Sequence, residues 1–157
     1  MVVEPSLGLV VVADGMGGAP GGDVASSLAV QELARGLQAG TGMKEAIRGA
    51  NRAILHVARD RPELAGMGTT VTALQVSPAE ARYVVGHVGD SRAYRLTRDA
   101  FSQLSRDHTM VRDMVDAGRI PASAERTHPL GHILSRALGT EADVRVDLMD
   151  GTIQAGD

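Results

Sequence analysis

A chain of 157 residues, 43% hydrophobic and 22% charged with a formal net charge of −3, is one domain by length and large enough to bury a core. No apolar run approaches the length of a membrane span, and the start "MVVEPSLG" has neither the basic nor the apolar region of a secretory signal. With no cysteine, disulfides and thiolate metal sites are excluded and a cytoplasmic setting is expected; all of the 16 basic residues except Lys44 are scattered arginines, and with only Tyr83, Tyr94 and Phe101 as aromatics there is no nucleic-acid footprint.

In chain order, "LGLVVVA" (7–13) reads as a buried strand, short, β-branched and closed by glycines. Asp23 is placed to cap a helix running to about Leu37, with Ala25, Ala29, Leu33 and Leu37 on one face. A second helix is expected from Met43 to about Arg61, where Met43, Ala46, Ile47, Ala50, Ile54, Val57 and Ala58 keep helical spacing and Pro62 stops it. The period then changes to that of strands: "TTVTALQV" (69–76), "ARYVVGHV" (81–88) and "RAYRLT" (92–97) read as an antiparallel meander with tight turns at "GDS" (89–91) and "RDA" (98–100). A short helix fits 108–117, capped by Asp107 or Thr109, with Met110, Val111, Met114 and Val115 inward and Gly118 at its end. Residues 119–133 carry prolines and little periodicity and are expected to form a surface loop, and "VRVDLM" (144–149) one more strand. The order of elements argues α+β rather than alternating βαβ.

The stretch "VVVADGMGGAPGGD" (10–23) holds more glycine than a turn requires. An Asp-Gly at a strand end is often only a turn. A phosphate loop would need a following Lys-Ser or Lys-Thr, and the glycine spacing misses the dinucleotide fingerprint. A third reading is a hard divalent cation, which takes carboxylate and carbonyl oxygens. The Asp14 side chain and the Gly15 carbonyl offer both, and Gly15, without a Cβ, allows close approach. Asp90 in "VGDSRAY" again follows an apolar strand at a glycine turn, although a turn aspartate there is also an ordinary hydrogen-bonded feature. Of the histidines, His87 lies within a strand and reads as packed, His108 as a helix-start residue, and His128 and His132 as loop residues; none has metal-ligand spacing.

Taken together, "VVVADGMGG", "GMGTTVTAL", "VGHVGDSRAYRL", "LSRDHTMV" and "HILSRALGT" stand in the order and approximate spacing of the metal-dependent protein phosphatases of type 2C, and the chain resembles that family from about Leu7 to Asp157. The methionine of "DGMGG" resembles bacterial members, where eukaryotic ones usually carry histidine. The resemblance implies an α+β fold, an antiparallel β-sandwich flanked by helices in four α-β-β-α layers. It also implies hydrolysis of phosphoserine and phosphothreonine in proteins by a water that two Mg²⁺ or Mn²⁺ ions activate, with a third, weaker metal beside them. Asp14 resembles the carboxylate that bridges the two metals, and so the catalytic one. Gly15 resembles the residue whose carbonyl binds one of them, and Asp90 the aspartate that helps hold the third. Thr69 and Thr70 match a "GTT" read as structural. About His108 to His132 resembles a flap beside the active site that influences substrate choice. A cognate Ser/Thr kinase is the expected signalling partner.

The sequence departs from the family at both ends. Before the strand at 7–13 stands only "MVVEPS", with Glu4 as its one acidic residue, where the family carries an arginine and an acidic ligand. After "TIQAGD" the family continues to two further aspartate ligands. The expectation is therefore a single, partial phosphatase-like domain over 1–157. The alternative to the enzyme is a truncated, non-catalytic phosphatase-like binding module; a second chain supplying the missing strands is a third arrangement.

Overall fold

A computed structural model describes residues 1–16 and 21–154. Its centre is a five-stranded antiparallel sheet in the order β1-β2-β3-β4-β7, from β1 (Val2–Glu4), β2 (Leu9–Val12), β3 (Val71–Ser77), β4 (Arg82–Val88) and β7 (Asp147–Thr152). A separate hairpin pairs β5 (Tyr94–Leu96) with β6 (Phe101–Gln103).

The alternation of the strands decides which side is buried by helices. Val11 stands opposite Ala73, Ala73 opposite Gly86, and Val71 opposite Val88, so these residues share one face. Against it pack α1 (Gly22–Gln38) and α2 (Met43–Asp60). From α1 come Ala25, Ala29, Leu33 and Leu37, and from α2 Met43, Ala46, Ile47, Ala50 and Ile54, all buried in one core with Leu9 and Val11. The opposite face carries Leu74, Val76 and Tyr83. The β5–β6 hairpin lies over it, with the Arg95 guanidinium 5.6 Å from the centre of the Tyr83 ring and a cavity of about 230 Å³ between the layers. The α+β architecture with helices outside a layered sheet is the expected one.

Several local expectations are corrected. Residues 2–4, for which no element was expected, form an edge strand. Gly21, with a left-handed φ of 73°, precedes α1 in place of Asp23, which sits in the first helical turn where its charge favours the helix dipole. Strands β3, β4 and β5 are not a meander: beyond β4 the chain leaves the sheet, and the neighbour of β4 is β7, arriving from residue 147. The turn at 98–100 does join β5 to β6. The third helix, α3 (Met110–Asp116), is capped by the Thr109 hydroxyl, which accepts the Arg112 N–H at 3.1 Å. Only Val111 of its four apolar residues is buried, and Met110 is 43% exposed. The loop after it includes a 3-10 turn at Ala122–Thr127. No described helix is long and apolar enough to cross a membrane.

Candidate active site

Asp14 lies just past the end of β2, and its backbone is fixed by β3's leading residues. The Asp14 N–H donates to the Thr70 hydroxyl at 3.0 Å, and the Thr70 N–H donates to the Asp14 carbonyl at 2.9 Å. One step on, the Met16 N–H donates to the Gly68 carbonyl at 3.0 Å. These bonds bracket the Gly15–Thr69 pair, which in antiparallel geometry directs the N–H and C=O of Gly15 away from Thr69. On its far side Thr69 exchanges both backbone bonds with Leu138, at 3.1 and 2.9 Å. Three of the quoted segments, "DGMGG", "GTT" and "RALGT", thus meet at one point. Gly15 is required there for space: a Cβ would sit 2.0 Å from the Gly22 carbonyl oxygen at the start of α1. Met16 lies against Gly68, and its thioether has no proton to give. Residues 17–20 of the glycine-rich stretch lie outside the described residues.

A second knot holds Asp90. The Thr70 hydroxyl, buried, reaches the Ser91 hydroxyl at 2.9 Å, and the Thr72 hydroxyl donates to the Ser91 carbonyl at 2.7 Å. Gly89, at φ 116°, packs so closely on Thr70 that a Cβ would lie 2.5 Å from that residue's own Cβ. The Gly89 carbonyl accepts the His108 N–H at 2.8 Å, while the Gly89 N–H donates to His108 Nδ1 at 3.0 Å. His108 is wholly buried beside His87, ring centres 4.7 Å apart. Because Nδ1 accepts, the proton of the neutral ring is on Nε2, which donates to Asp147 Oδ2 at 3.0 Å. Arg136 completes the group by donating to Asp147 Oδ1 at 2.8 Å and to the Arg145 carbonyl at 3.1 Å. Burial is the main cause that lowers the His108 pKa, to about 4, and keeps the ring neutral. His87 is packed, as its place in a strand indicates, with Nε2 donating to the Arg106 carbonyl at 3.0 Å. Sequence reasoning passed over His108, because its hydrogen-bond partners Gly89 and Asp147 lie 19 and 39 residues away.

Asp14 lies near enough to Asp90 for its charge to be felt there. The Asp90 carboxyl titrates above its ordinary value, first through burial and then through the charges of Asp107 and Asp14, against its own backbone N–H and Arg92. Beside it opens a cleft of about 290 Å³ lined by Asp90, Arg92, Asp107, Thr109, Glu125 and Arg126. One wall is the Arg92–Asp107 pair, joined by Nε and Nη2 at 2.6–3.0 Å, with Gln103 donating to Asp107 at 3.0 Å. The cleft lies between the "GDSR" turn and the segment expected to be a flap.

Asp14 is exposed and Asp90 half-buried, and together with the Gly15 carbonyl they offer the oxygen donors that a hard divalent cation takes. They match such an ion in kind but not in number: among the described residues no group of three or more His, Cys, Asp or Glu side chains converges as a metal site. His128 and His132 do not approach the two aspartates in any described hydrogen bond; His128 Nδ1 accepts the Leu130 N–H at 3.1 Å within its own loop.

A family model described as Protein phosphatase 2C matches residues 1–116. The serine/threonine phosphatase stp of Listeria innocua is 37% identical over 159 residues, an alignment covering 95% of this chain and 62% of that protein. The crystal structure of serine/threonine phosphatase Stp1 from Staphylococcus aureus superposes with a TM-score of 0.83 at 34% identity, over 92% of this chain and 59% of that one. The catalytic domain of serine/threonine protein phosphatase PstP, solved in complex with two manganese ions, does so with a TM-score of 0.78 at 35% identity, over 94% and 63%. The chain therefore spans about three fifths of the length of these relatives. It belongs to the protein phosphatase 2C family.

Proposed function

We propose that the chain carries one side of the active centre of a metal-dependent protein phosphatase that hydrolyses phosphoserine and phosphothreonine. The observation that supports this reading is that one buried hydroxyl, that of Thr70, is hydrogen-bonded both to the Asp14 N–H and to the hydroxyl of Ser91, the residue after Asp90, and so links two aspartate turns 76 positions apart. Asp14 and the Gly15 carbonyl are assigned to a two-cation centre of Mn²⁺ or Mg²⁺, and Asp90 to a third, weaker site. A cation so held supplies positive charge against the oxygens of a phosphoryl group under in-line attack. The protein's own part is positional: β2 and β3 hold the Asp14 backbone, leaving its carboxylate exposed, while Arg92 faces the cleft from the Asp107 anchor. Met16, beside Asp14, has no proton to give to the leaving alkoxide. The whole of 1–157 is taken as one phosphatase-like unit with 108–132 as its flap. Its substrates are phosphoproteins, among them a cognate Ser/Thr kinase, in the cytoplasm.

The test is Mn²⁺-dependent hydrolysis of p-nitrophenyl phosphate, with Asp14→Ala in parallel and folding followed by circular dichroism. Turnover that rises with Mn²⁺ and is lost in the variant supports the reading. A folded, inactive wild type favours the second reading, a binding module without turnover, for which the shortage of converging carboxylates among the described residues speaks.

A further inference from the structure

We propose that His108 is a positioning residue for Asp90: it sets the turn that aims this carboxylate, and it does so through the backbone of Gly89 rather than by touching Asp90. The inference rests on the assignment of Asp90 as a metal ligand only for its consequence, not for its geometry.

Gly89 is gripped at both of its backbone groups by one residue. Its carbonyl takes the His108 N–H at 2.8 Å and its N–H gives to His108 Nδ1 at 3.0 Å. The peptide planes on either side of Gly89 are therefore fixed, and the second of them leads directly into Asp90. A glycine at φ 116° needs such a hold, because its intrinsic preferences leave it many alternatives. The ring is itself fixed from behind. Nε2–H meets Asp147 on β7, and Arg136 holds the other oxygen of that carboxylate. From the sheet, His87 of β4 lies beside the ring, with ring centres 4.7 Å apart. The chain of contacts runs from the sheet edge through Asp147 and His108 to the turn, with every link within hydrogen-bond distance. An imidazole that served only to fill space would need neither the Nδ1 acceptor aimed at the Gly89 N–H nor an oriented carboxylate behind it.

The two ring nitrogens have separate isosteres, which makes the role testable. His108→Asn keeps an acceptor where Nδ1 stands and loses the bond to Asp147. His108→Gln keeps a donor where Nε2 stands and loses the acceptor for Gly89. Each removes one buried hydrogen bond, so a purely structural residue predicts similar behaviour of the two. Positioning predicts a split, read in the full chain by two measurements. Amide exchange of Gly89 and Asp90, followed by NMR without metal and normalised to global stability, is expected to rise about tenfold or more in His108→Gln and to stay near wild type in His108→Asn. Mn²⁺ affinity by calorimetry is expected to fall about ten- to a hundredfold in His108→Gln, as for other residues that orient a ligand, with His108→Asn much closer to wild type.

Asp90→Asn serves as the control. If it leaves Mn²⁺ affinity unchanged, the ligand assignment fails, and the exchange measurement alone decides the positioning role. Equal exchange at Gly89 and Asp90 in the two His108 variants overturns the proposal, whatever the metal data show.

Discussion

The hydroxyl of Thr70 lies 2.9 Å from the hydroxyl of Ser91 while it accepts the N–H of Asp14 at 3.0 Å. A hydroxyl has one proton to give and two lone pairs to receive. With Asp14 donating, the Thr70 proton is available for Ser91, and the two aspartate turns become mechanically connected through one atom. Thr70→Val keeps the shape and leaves the Asp14 N–H without its acceptor. Its expected cost is about 1–3 kcal/mol of stability, with Thr70→Ser recovering most of it. Chemical denaturation of the three proteins checks this; a Thr70→Val protein as stable as wild type would show that water replaces the hydroxyl.

Asp107 is 8% exposed and takes all its described side-chain bonds from Arg92 and Gln103. Removing the carboxylate frees Arg92, which is 46% exposed and rehydrates readily. The loss is therefore that of charge-assisted hydrogen bonds and not of a stranded buried ion. Asp107→Ala is expected to cost about 1–3 kcal/mol. The same variant is expected to raise the Km for a phosphopeptide more than it lowers kcat, because Arg92 loses its anchor at the cleft wall. Steady-state kinetics separates the two parameters.

Asn51 is an amide on the buried face of α2, 1% exposed. Its Nδ2 donates to the Glu141 carbonyl at 2.8 Å and its Oδ1 accepts the Gly139 N–H at 2.8 Å. One side chain thereby satisfies a turn that leads into the strand carrying Asp147. Asn51→Ala leaves buried backbone groups unpaired and is expected to cost about 2–4 kcal/mol. Asn51→Leu fills the space but not the bonds, so it is expected to be no better by thermal unfolding.

The depressed pKa of His108 makes stability depend on pH. The folded ring titrates near 4 and the unfolded one near 6.5. Burial is the main cause; Asp147 opposes it, and Arg136 and His87 add to it. As pH falls below 6.5 the unfolded chain takes up a proton that the folded chain refuses. This contribution is complete above pH 6.5 and is lost progressively down to about pH 4, by roughly 3 kcal/mol in all. His87, also lowered by burial, acts in the same sense. Urea titrations between pH 7 and pH 4 are expected to show a steep decline that His108→Gln makes shallower. An unchanged slope in that variant would place the titration elsewhere.

Helices α1 and α2 and strands β2, β3 and β4 were legible because each keeps a single period over several residues, with Ala25, Leu33, Ile47 and Ile54 at helical spacing and Val71, Ala73 and Val88 on one face of the sheet. The pairing of β4 was not. A short glycine turn at 89–91 looks like a hairpin, and only the Asp147 strand, far along the chain, claims the edge of β4 first. The candidate site was legible through its aspartates, since a carboxylate after an apolar run at glycine is a local pattern. Its supports were hidden for the opposite reason. Thr70 was visible only as part of a strand and of a "GTT" read as structural, and Asn51 and His108 act across 88 and 39 residues respectively. No local period records such distances.

The adjacency of β4 and β7 also sets an order of assembly. Two closures of equal length bring the strands together: residues 13–70 close between β2 and β3, and residues 89–146 between β4 and β7. Long closure slows pairing. Because β7 is the last element to be made, the sheet of β1–β4 with its two helices is expected to form during synthesis before Asp147 arrives behind His108, and the turn bearing Asp90 to be among the last backbone segments to gain amide protection in pulse labelling of nascent chains. A chain emerging from synthesis would hold its shape for a time before it held a site, and a partner that recognises the unfinished edge of β4 would have that interval in which to act.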